Sequence, residues 1–359
     1  MTPMATTVRE LLLGAKHVER GQIHTVPAVR AGLIVFALVS ITVAADKAYL
    51  GLPLAVGTVF VTLSNVGESA GRRLRNMLWT TLWITVATFL GGAGSHKVLI
   101  GLALTIAISM LAGLAGILGP RATLMGVLTL VAYVIFDGAP ASDRSVVEST
   151  ALVATGGLLT IVITLLPSLF DPTLRHRGFD HIPPLRARLA GKLNSQNDFV
   201  RHAVRLTVVM SIATVIADIT TYPHDYWMPM TIAWVTKPDR DGTATSIIGR
   251  IAGTVVGVLV AAVVIEGLHL KGYGVAAVVG VAAGIAVGFI LANYTIAVTG
   301  ITLMVVGLLT FDGDPVIDTI VLRLIFTVIG AVLAFLGFCI WPPARVPEPD
   351  GPGQPAAQG

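Results

Sequence analysis

The chain has a single cysteine, Cys339, so no internal disulfide can form, and the cysteine-based metal sites are excluded. Charge is scarce as well. Asp, Glu, Lys and Arg make up 12% of the 359 residues, about half of the roughly 25% usual in soluble proteins. A soluble fold of this length would need that charge to cover its surface, so a water-soluble enzyme is excluded as a class. Neither the P-loop pattern G-x-x-x-x-G-K-[ST] nor H-E-x-x-H occurs, and the 8 histidines are scattered without a metal-ligand spacing. No ATP site, metal, other cofactor or catalytic activity is therefore expected. Residues 1–26 are of mixed polarity and lack an apolar signal-peptide core, with only Leu11 to Leu13 forming a short apolar patch.

What is present is hydrophobic. Apolar and aromatic residues make up 54% of the chain, with 38 glycines, 19 prolines and a mean hydropathy of +0.83. This is the composition of a polytopic membrane protein. Apolar stretches cover 29–46, 49–64, 77–92, 98–117, 121–136 and 146–167, then 203–219, 226–236, 249–266, 273–290, 293–311 and 319–341. Lipid offers the backbone no hydrogen-bond partners, so each stretch is predicted to be helical. The fold class expected is all-α, with about 12 transmembrane helices.

The two blocks of stretches repeat one another. Phe136-Asp137-Gly138-Ala139-Pro140 recurs as Phe311-Asp312-Gly313-Asp314-Pro315, and the same register maps Arg30 to Arg205, Arg75 to Arg250 and Pro167 to Pro342. Coincidences among rare Arg, Asp and Pro residues carry far more information than matches among Val or Leu. With an even number of spans in each half, the repeats are parallel, related by an axis along the membrane normal. The expected organisation is an N-terminal segment 1–26, a six-helix repeat 27–167, a basic connector 168–202, a second six-helix repeat 203–342 and a disordered tail 343–359. Counted along this topology, Lys and Arg concentrate on the side of both tails, leaving only Lys47, Lys97, Arg144, Lys271 and Arg323 on the other. Both termini are therefore expected to be cytoplasmic.

Several motifs invite a chemical reading. Gly67-Glu68-Ser69-Ala70-Gly71 fits G-x-S-x-G, but a nucleophile elbow needs a soluble sheet around it, and here the motif lies in a loop between spans. The span 226–236 is short and carries an early proline, Pro229, and the corresponding first-half span 49–64 carries one too, Pro53. Such pairs either point to the binding region of a transporter or simply start helices, where proline is well tolerated. Arg250 is embedded between Ile247-Ile248 and Ile251-Ala252, where a charge costs about 2.5–3.5 kcal/mol at mid-membrane. It is either an anion ligand, its planar fork matched to a carboxylate, or an end-of-helix residue snorkelling to headgroups. Arg75, Arg30 and Arg205 are weaker candidates of the same kind. Asp137 and Asp312, in the two FDG-x-P turns, are candidate proton carriers. The glycines of Gly280-x-x-x-Gly284-x-x-x-Gly288 share one helical face and read as a close helix contact.

The segment YWMPMTIAWVTKPDRDGTATSIIGRIAGTVVG, Tyr226 to Gly257, resembles the fusaric acid resistance family, also called aromatic acid exporters. The shared pattern is a Tyr-Trp, a Thr-containing short span, a Pro-containing turn, then Arg-x-x-Gly-Thr-x-x-Gly. The first half keeps the layout but has Leu78 and Trp79 where the motif would place Gly and Thr. The resemblance implies export of aromatic carboxylic acids and related small weak acids across the bacterial inner membrane. In that reading Arg250 and Lys237 hold the carboxylate, while Tyr226 and Trp227 line the apolar part of the path. The energy would come from the proton gradient or the membrane potential. The membrane part is also similar to plant aluminium-activated malate transporters, which implies an alternative as a passive organic-anion channel and homodimer. A third reading is a non-transporting scaffold. The partners expected are the lipid bilayer and a small organic anion, and no nucleic acid.

Overall fold

A computed structural model describes residues 17–65, 69–95, 97–138, 145–167, 185–194, 196–220, 222–313 and 315–340. Each of the apolar stretches is a helix, and no strand occurs among the described residues. The helices are α1 (Thr25–Ala44), α2 (Gly51–Leu63), α3 (Ala70–Gly94), α4 (Val98–Leu114), α5 (Pro120–Gly138) and α6 (Val146–Leu165). They are followed by α7 (Asp198–Thr220), α8 (Trp227–Val235), α9 (Arg240–Ala261), α10 (Tyr273–Phe289), α11 (Tyr294–Leu309) and α12 (Val316–Ile340). Among the described residues, 9 helices are long and apolar enough to cross a membrane. The remaining three, α2, α8 and α10, are shorter.

Helix starts lie outside the apolar runs where a capping side chain sets them. Ser69 Oγ accepts the amide of Arg72 at 3.3 Å, so α3 begins before its hydrophobic stretch and draws Arg72, Arg73 and Arg75 into the helix. Asp239 Oδ2 accepts the amide of Gly242 at 2.6 Å and starts α9 at Arg240. Both satisfy amides that a helix N-terminus otherwise leaves unpaired. The serine of the G-x-S-x-G sequence is thus a helix cap. The connector expected over 168–202 contains a short helix, Leu185–Leu189, and is helical again from Asp198 onward, while its residues 168–184, like the tail 343–359, lie outside the described residues.

Two helices form the centre. All 13 residues of α2 and all 9 of α8 are buried. At 1.5 Å per residue they measure about 20 Å and about 13 Å, against roughly 30 Å of hydrocarbon. The other helices surround them and turn large apolar side chains outward, including Leu99, Ile219, Leu259 and Val281, a surface suited to lipid. Small residues allow the close approaches. A side chain on Gly57 would meet the Val153 carbonyl, one on Gly156 the Leu54 carbonyl, and one on Gly330 the Met228 carbonyl, so α2 lies on α6 and α8 on α12 backbone to backbone.

The halves are interleaved. The first helix of each half packs on the fourth of the other, α1 against α10 and α7 against α4. The first contact is the glycine face expected from the sequence: a Cβ on Gly32 would sit 2.8 Å from the Gly280 carbonyl oxygen, and Gly284 and Gly288 face Ala28. The second is tied by hydroxyls, with Ser109 donating to Thr207 Oγ1 at 3.2 Å and Thr105 and Thr214 hydroxyls 3.4 Å apart.

Candidate functional site

Around α8, the helices α9, α11 and α12 bring cations and aromatic rings into a protein-lined interior. Arg250 on α9 is 0% exposed, and its Nε, Nη1 and Nη2 have no hydrogen-bond partner among the described residues. A snorkelling side chain carries its charged head out to the surface, whereas no part of Arg250 reaches one. Arg323 on α12 is in the same condition: 0% exposed, with all three guanidinium nitrogens unpartnered. The two charges are near enough to repel one another.

Aromatic side chains frame this pair. Arg323 Cζ stands 4.8 Å from the centroid of the Trp227 ring, a cation–π contact at the first residue of α8. His224 stacks on Trp227, its ring 4.6 Å away and 13° from parallel, and Tyr226 meets Trp227 edge-on at 5.9 Å. Tyr294 opens α11 beside Arg250, its ring against Gly249 and its hydroxyl on the side of the guanidinium. Hydroxyls follow one turn along each element: Thr231 after Trp227, Thr254 after Arg250 and Thr327 after Arg323. All are buried without a partner. A spacing of four residues keeps each on the face of the residue it follows.

Of the residues expected from sequence, Arg250, Tyr226 and Trp227 belong to this cluster. Lys237 does not join Arg250. It is half-buried on the link between α8 and α9, beyond the far end of α8 from Trp227, with its amide donating to Thr243 Oγ1 at 2.8 Å. Burial pushes its ammonium below the ordinary lysine value, with Asp239 opposing. Arg205 fastens that link, donating from Nη2 to the carbonyls of Pro238 at 2.7 Å and Lys237 at 3.4 Å. Arg30 makes the comparable tie in the first half, from Nη1 to the Thr164 carbonyl at 3.4 Å. Arg75 is half-buried near the start of α3.

Asp312 is exposed in the turn after α11, whereas Asp137 is half-buried at the end of α5. Its neighbour Gly138 packs directly on Tyr226, so this carboxylate borders the aromatic side of the cluster. Among the described residues no group of three or more His, Cys, Asp or Glu side chains could hold a metal ion.

Arg323 and Tyr294 are absent from the expected set. The sequence reading counts Arg323 with the loops of one membrane face. The predicted stretch 319–341 already contains it near its start, and the structure places it inside α12, which begins at Val316, fully buried against Trp227 rather than at a membrane face. The signal was available: Arg323 is flanked by Val321-Leu322 and Leu324-Ile325-Phe326, the same apolar embedding that singles out Arg250.

An all-helical, multi-pass membrane protein with charged side chains enclosed by protein rather than lipid is the class these observations define. Residues 212–337, which contain the whole cluster, match the model of the fusaric acid resistance protein-like family. The chain is 33% identical over 164 residues to the uncharacterized protein YhfK of Escherichia coli (strain K12), covering 44% of this chain and 23% of that protein. It is 31% identical over 157 residues to the uncharacterized protein ORF2 of Neisseria gonorrhoeae, covering 42% and 36%. It is 30% identical over 158 residues to the inner membrane protein YccS of Escherichia coli (strain K12), covering 43% and 22%. The matched region thus spans well under half of each relative. No solved structure matches the chain. Family, relatives and apolar helices together identify a multi-pass protein of the bacterial inner membrane.

Proposed function

We propose that the chain carries a small organic anion across the inner membrane, with Arg250 and Arg323 as its electrostatic ligands and Trp227, Tyr226 and Tyr294 as the walls beside them. The observation that carries this reading is the pair of fully buried guanidinium groups without partners. Arginine is not deprotonated in proteins, so burial cannot be relieved by losing the charge. Each costs about 2.5–3.5 kcal/mol at mid-membrane even on the lenient insertion scale, and charges retained at that cost mark functional sites. The aromatic walls and the family description favour aromatic carboxylic acids and similar amphipathic weak acids as substrates.

The packing favours a carrier over a passive channel. Both arginines are 0% exposed, so an anion reaches them only after the helices move apart, as alternating access requires. The paired short helices α2 and α8, and the reciprocal packing of α1 on α10 and α7 on α4, support two parallel repeats moving against one another. In this account all twelve helices are embedded in the membrane, both termini and the 168–202 connector are cytoplasmic, and transport is outward. One negative charge crossing the field is worth about 2.3 kcal/mol per 100 mV, so an inside-negative potential drives export without requiring protons.

The test is flux of a radiolabelled aromatic carboxylate in proteoliposomes of the purified protein. The potential is clamped by potassium and valinomycin, and the pH gradient is set separately. Saturable flux that is lost in Arg250→Ala, with normal incorporation of the variant, supports the reading. Unchanged flux in that variant overturns the site.

A further inference from the structure

We infer that the basic connector between the halves, together with the joint of α4 and α5, holds the headgroup of an anionic phospholipid, with Arg121, Arg186, Arg188 and Lys192 as its ligands. This site is separate from the buried arginines and does not depend on what the chain transports. Its depth is set by the joint. α4 continues as a 3-10 turn to Leu118, and a single residue, Gly119 at φ +105°, separates that turn from Pro120, the first residue of α5. Both helices are long and apolar enough to cross a membrane, so a turn this tight between them lies at the edge of the hydrocarbon. Arg121, exposed at that turn, is the one charged residue between Val98 and Phe136.

The connector is fastened to the same joint. Arg188, on the one-turn helix Leu185–Leu189, donates from Nη2 to the Leu118 carbonyl at 2.6 Å. Phe199 packs its ring on Gly116, and Ala203 lies against Gly113. The chain turns directly after the short helix, with the Lys192 amide on the Leu189 carbonyl at 3.0 Å. Arg186 and Lys192 are thereby held beside Arg121 at headgroup level rather than carried on a free loop.

Charge decides the occupant. From Leu185 to Asn197 there is no Asp or Glu, and Arg121, Arg186 and Lys192 are exposed without a hydrogen-bond or ion-pair partner among the described residues. Other arginines near helix ends are engaged by the protein: Arg72 and Arg73 donate from Nε to Ser69 Oγ at 3.3 Å and Asn65 Oδ1 at 2.7 Å, and Arg30 and Arg205 donate to backbone carbonyls. Arg188 spends one of its five donors on Leu118 and keeps the rest, and a phosphate meets such a fork in charge-assisted, bidentate contacts. Exposed apolar side chains adjoin the cations, Leu193 next to Lys192, Leu111 on α4 and Ile212 on α7. Cations bordered by apolar surface at the end of membrane spans fit an anionic lipid better than a soluble polyanion, which has no acyl chains to cover that surface.

The test uses the full chain in nanodiscs of equal parts phosphatidylglycerol and phosphatidylcholine, with the lipids retained by each chain counted by native mass spectrometry. The expected result is retained phosphatidylglycerol enriched about fivefold or more over phosphatidylcholine, the factor for one cation at a headgroup. The variant R121Q/R186Q/K192Q should bring the ratio to within about twofold of one. The matched variant K47Q/K97Q/K271Q removes three exposed cations from other loops and should keep the enrichment.

No enrichment in the unmodified protein overturns the inference and leaves the patch to a soluble polyanion. Enrichment that survives R121Q/R186Q/K192Q also overturns it, as does an equal loss in both variants, which would reduce the effect to total charge. The first of these outcomes needs no variant, and the replaced side chains are all exposed, so misfolding does not shield the inference.

Discussion

Replacing Arg250 with methionine should stabilise the protein while removing its activity. The guanidinium is 0% exposed and none of its three nitrogens is hydrogen-bonded within the protein, so the substitution breaks no internal hydrogen bond. It removes a buried charge worth about 2.5–3.5 kcal/mol on the insertion scale and relieves the repulsion from Arg323. Methionine fills most of the same length and adapts to irregular gaps. A modest loss of packing leaves an expected gain of about 2 kcal/mol. Arg323→Met should gain less, because its 4.8 Å contact with Trp227 is a cation–π interaction worth about 0.5–2 kcal/mol. Thermal unfolding followed by tryptophan fluorescence, in a buffer free of small carboxylates, should show both midpoints raised by several degrees, Arg250→Met the higher. Adding benzoate should raise the midpoint of the unmodified protein and leave that of Arg250→Met unchanged. A lowered midpoint for Arg250→Met would refute the reasoning, because the guanidinium would then be holding the fold together rather than waiting for a ligand.

Three further outcomes are expected. Gly32→Ala places a methyl 2.8 Å from the Gly280 carbonyl oxygen on a neighbouring backbone, and should cost about 1–3 kcal/mol, seen as a lower unfolding midpoint; Gly21→Ala, which meets nothing, should be silent. Asp225, on the link before α8, has its pKa raised to about 6 by burial, with a further push from Asp218. A raised carboxyl favours the folded state while protonated, so stability should fall as the pH climbs from about 4 to about 6; unfolding midpoints of Asp225→Asn should match the unmodified protein at pH 4 and exceed it at pH 7. Arg205→Ala removes the donors to the Pro238 and Lys237 carbonyls and should cost about 1.5–3 kcal/mol. Its effect should appear as lower folded yield by size-exclusion chromatography, with carboxylate affinity retained in the folded fraction.

Much of the fold is legible in the sequence because the bilayer leaves so few choices. A run of apolar residues in lipid must be helical, and every predicted run is a helix. The brevity of α8 is legible in the span 226–236 with its early Pro229, and the spacing of Gly280, Gly284 and Gly288 announces a close helix contact without saying that α1 is the partner. Helix starts were not, because hydropathy ignores caps. Ser69 and Asp239 carry α3 and α9 back through polar sequence that looks like loop.

The site was half legible. Arg250 stood out by its apolar flanks, and Tyr226 and Trp227 by the family pattern. Arg323 lies near the start of the stretch 319–341, where a charge reads as belonging to the membrane face, although its flanks are as apolar as those of Arg250. Lys237 shares the motif with Arg250 but not its location, because α8 is interposed between Trp227 and that link. Tyr294 carries no local signal, since its place beside Arg250 arises from the packing of α11 on α9.

The central claim is that an organic anion binds between Arg250 and Arg323, and the most direct measurement is to locate one. Crystals of the protein grown with 4-bromobenzoate and measured at the bromine absorption edge would show the ligand by its anomalous signal. The account predicts one peak within contact of Trp227, with carboxylate density at the guanidinium groups. A peak elsewhere, with the two arginines still unpartnered, would contradict it.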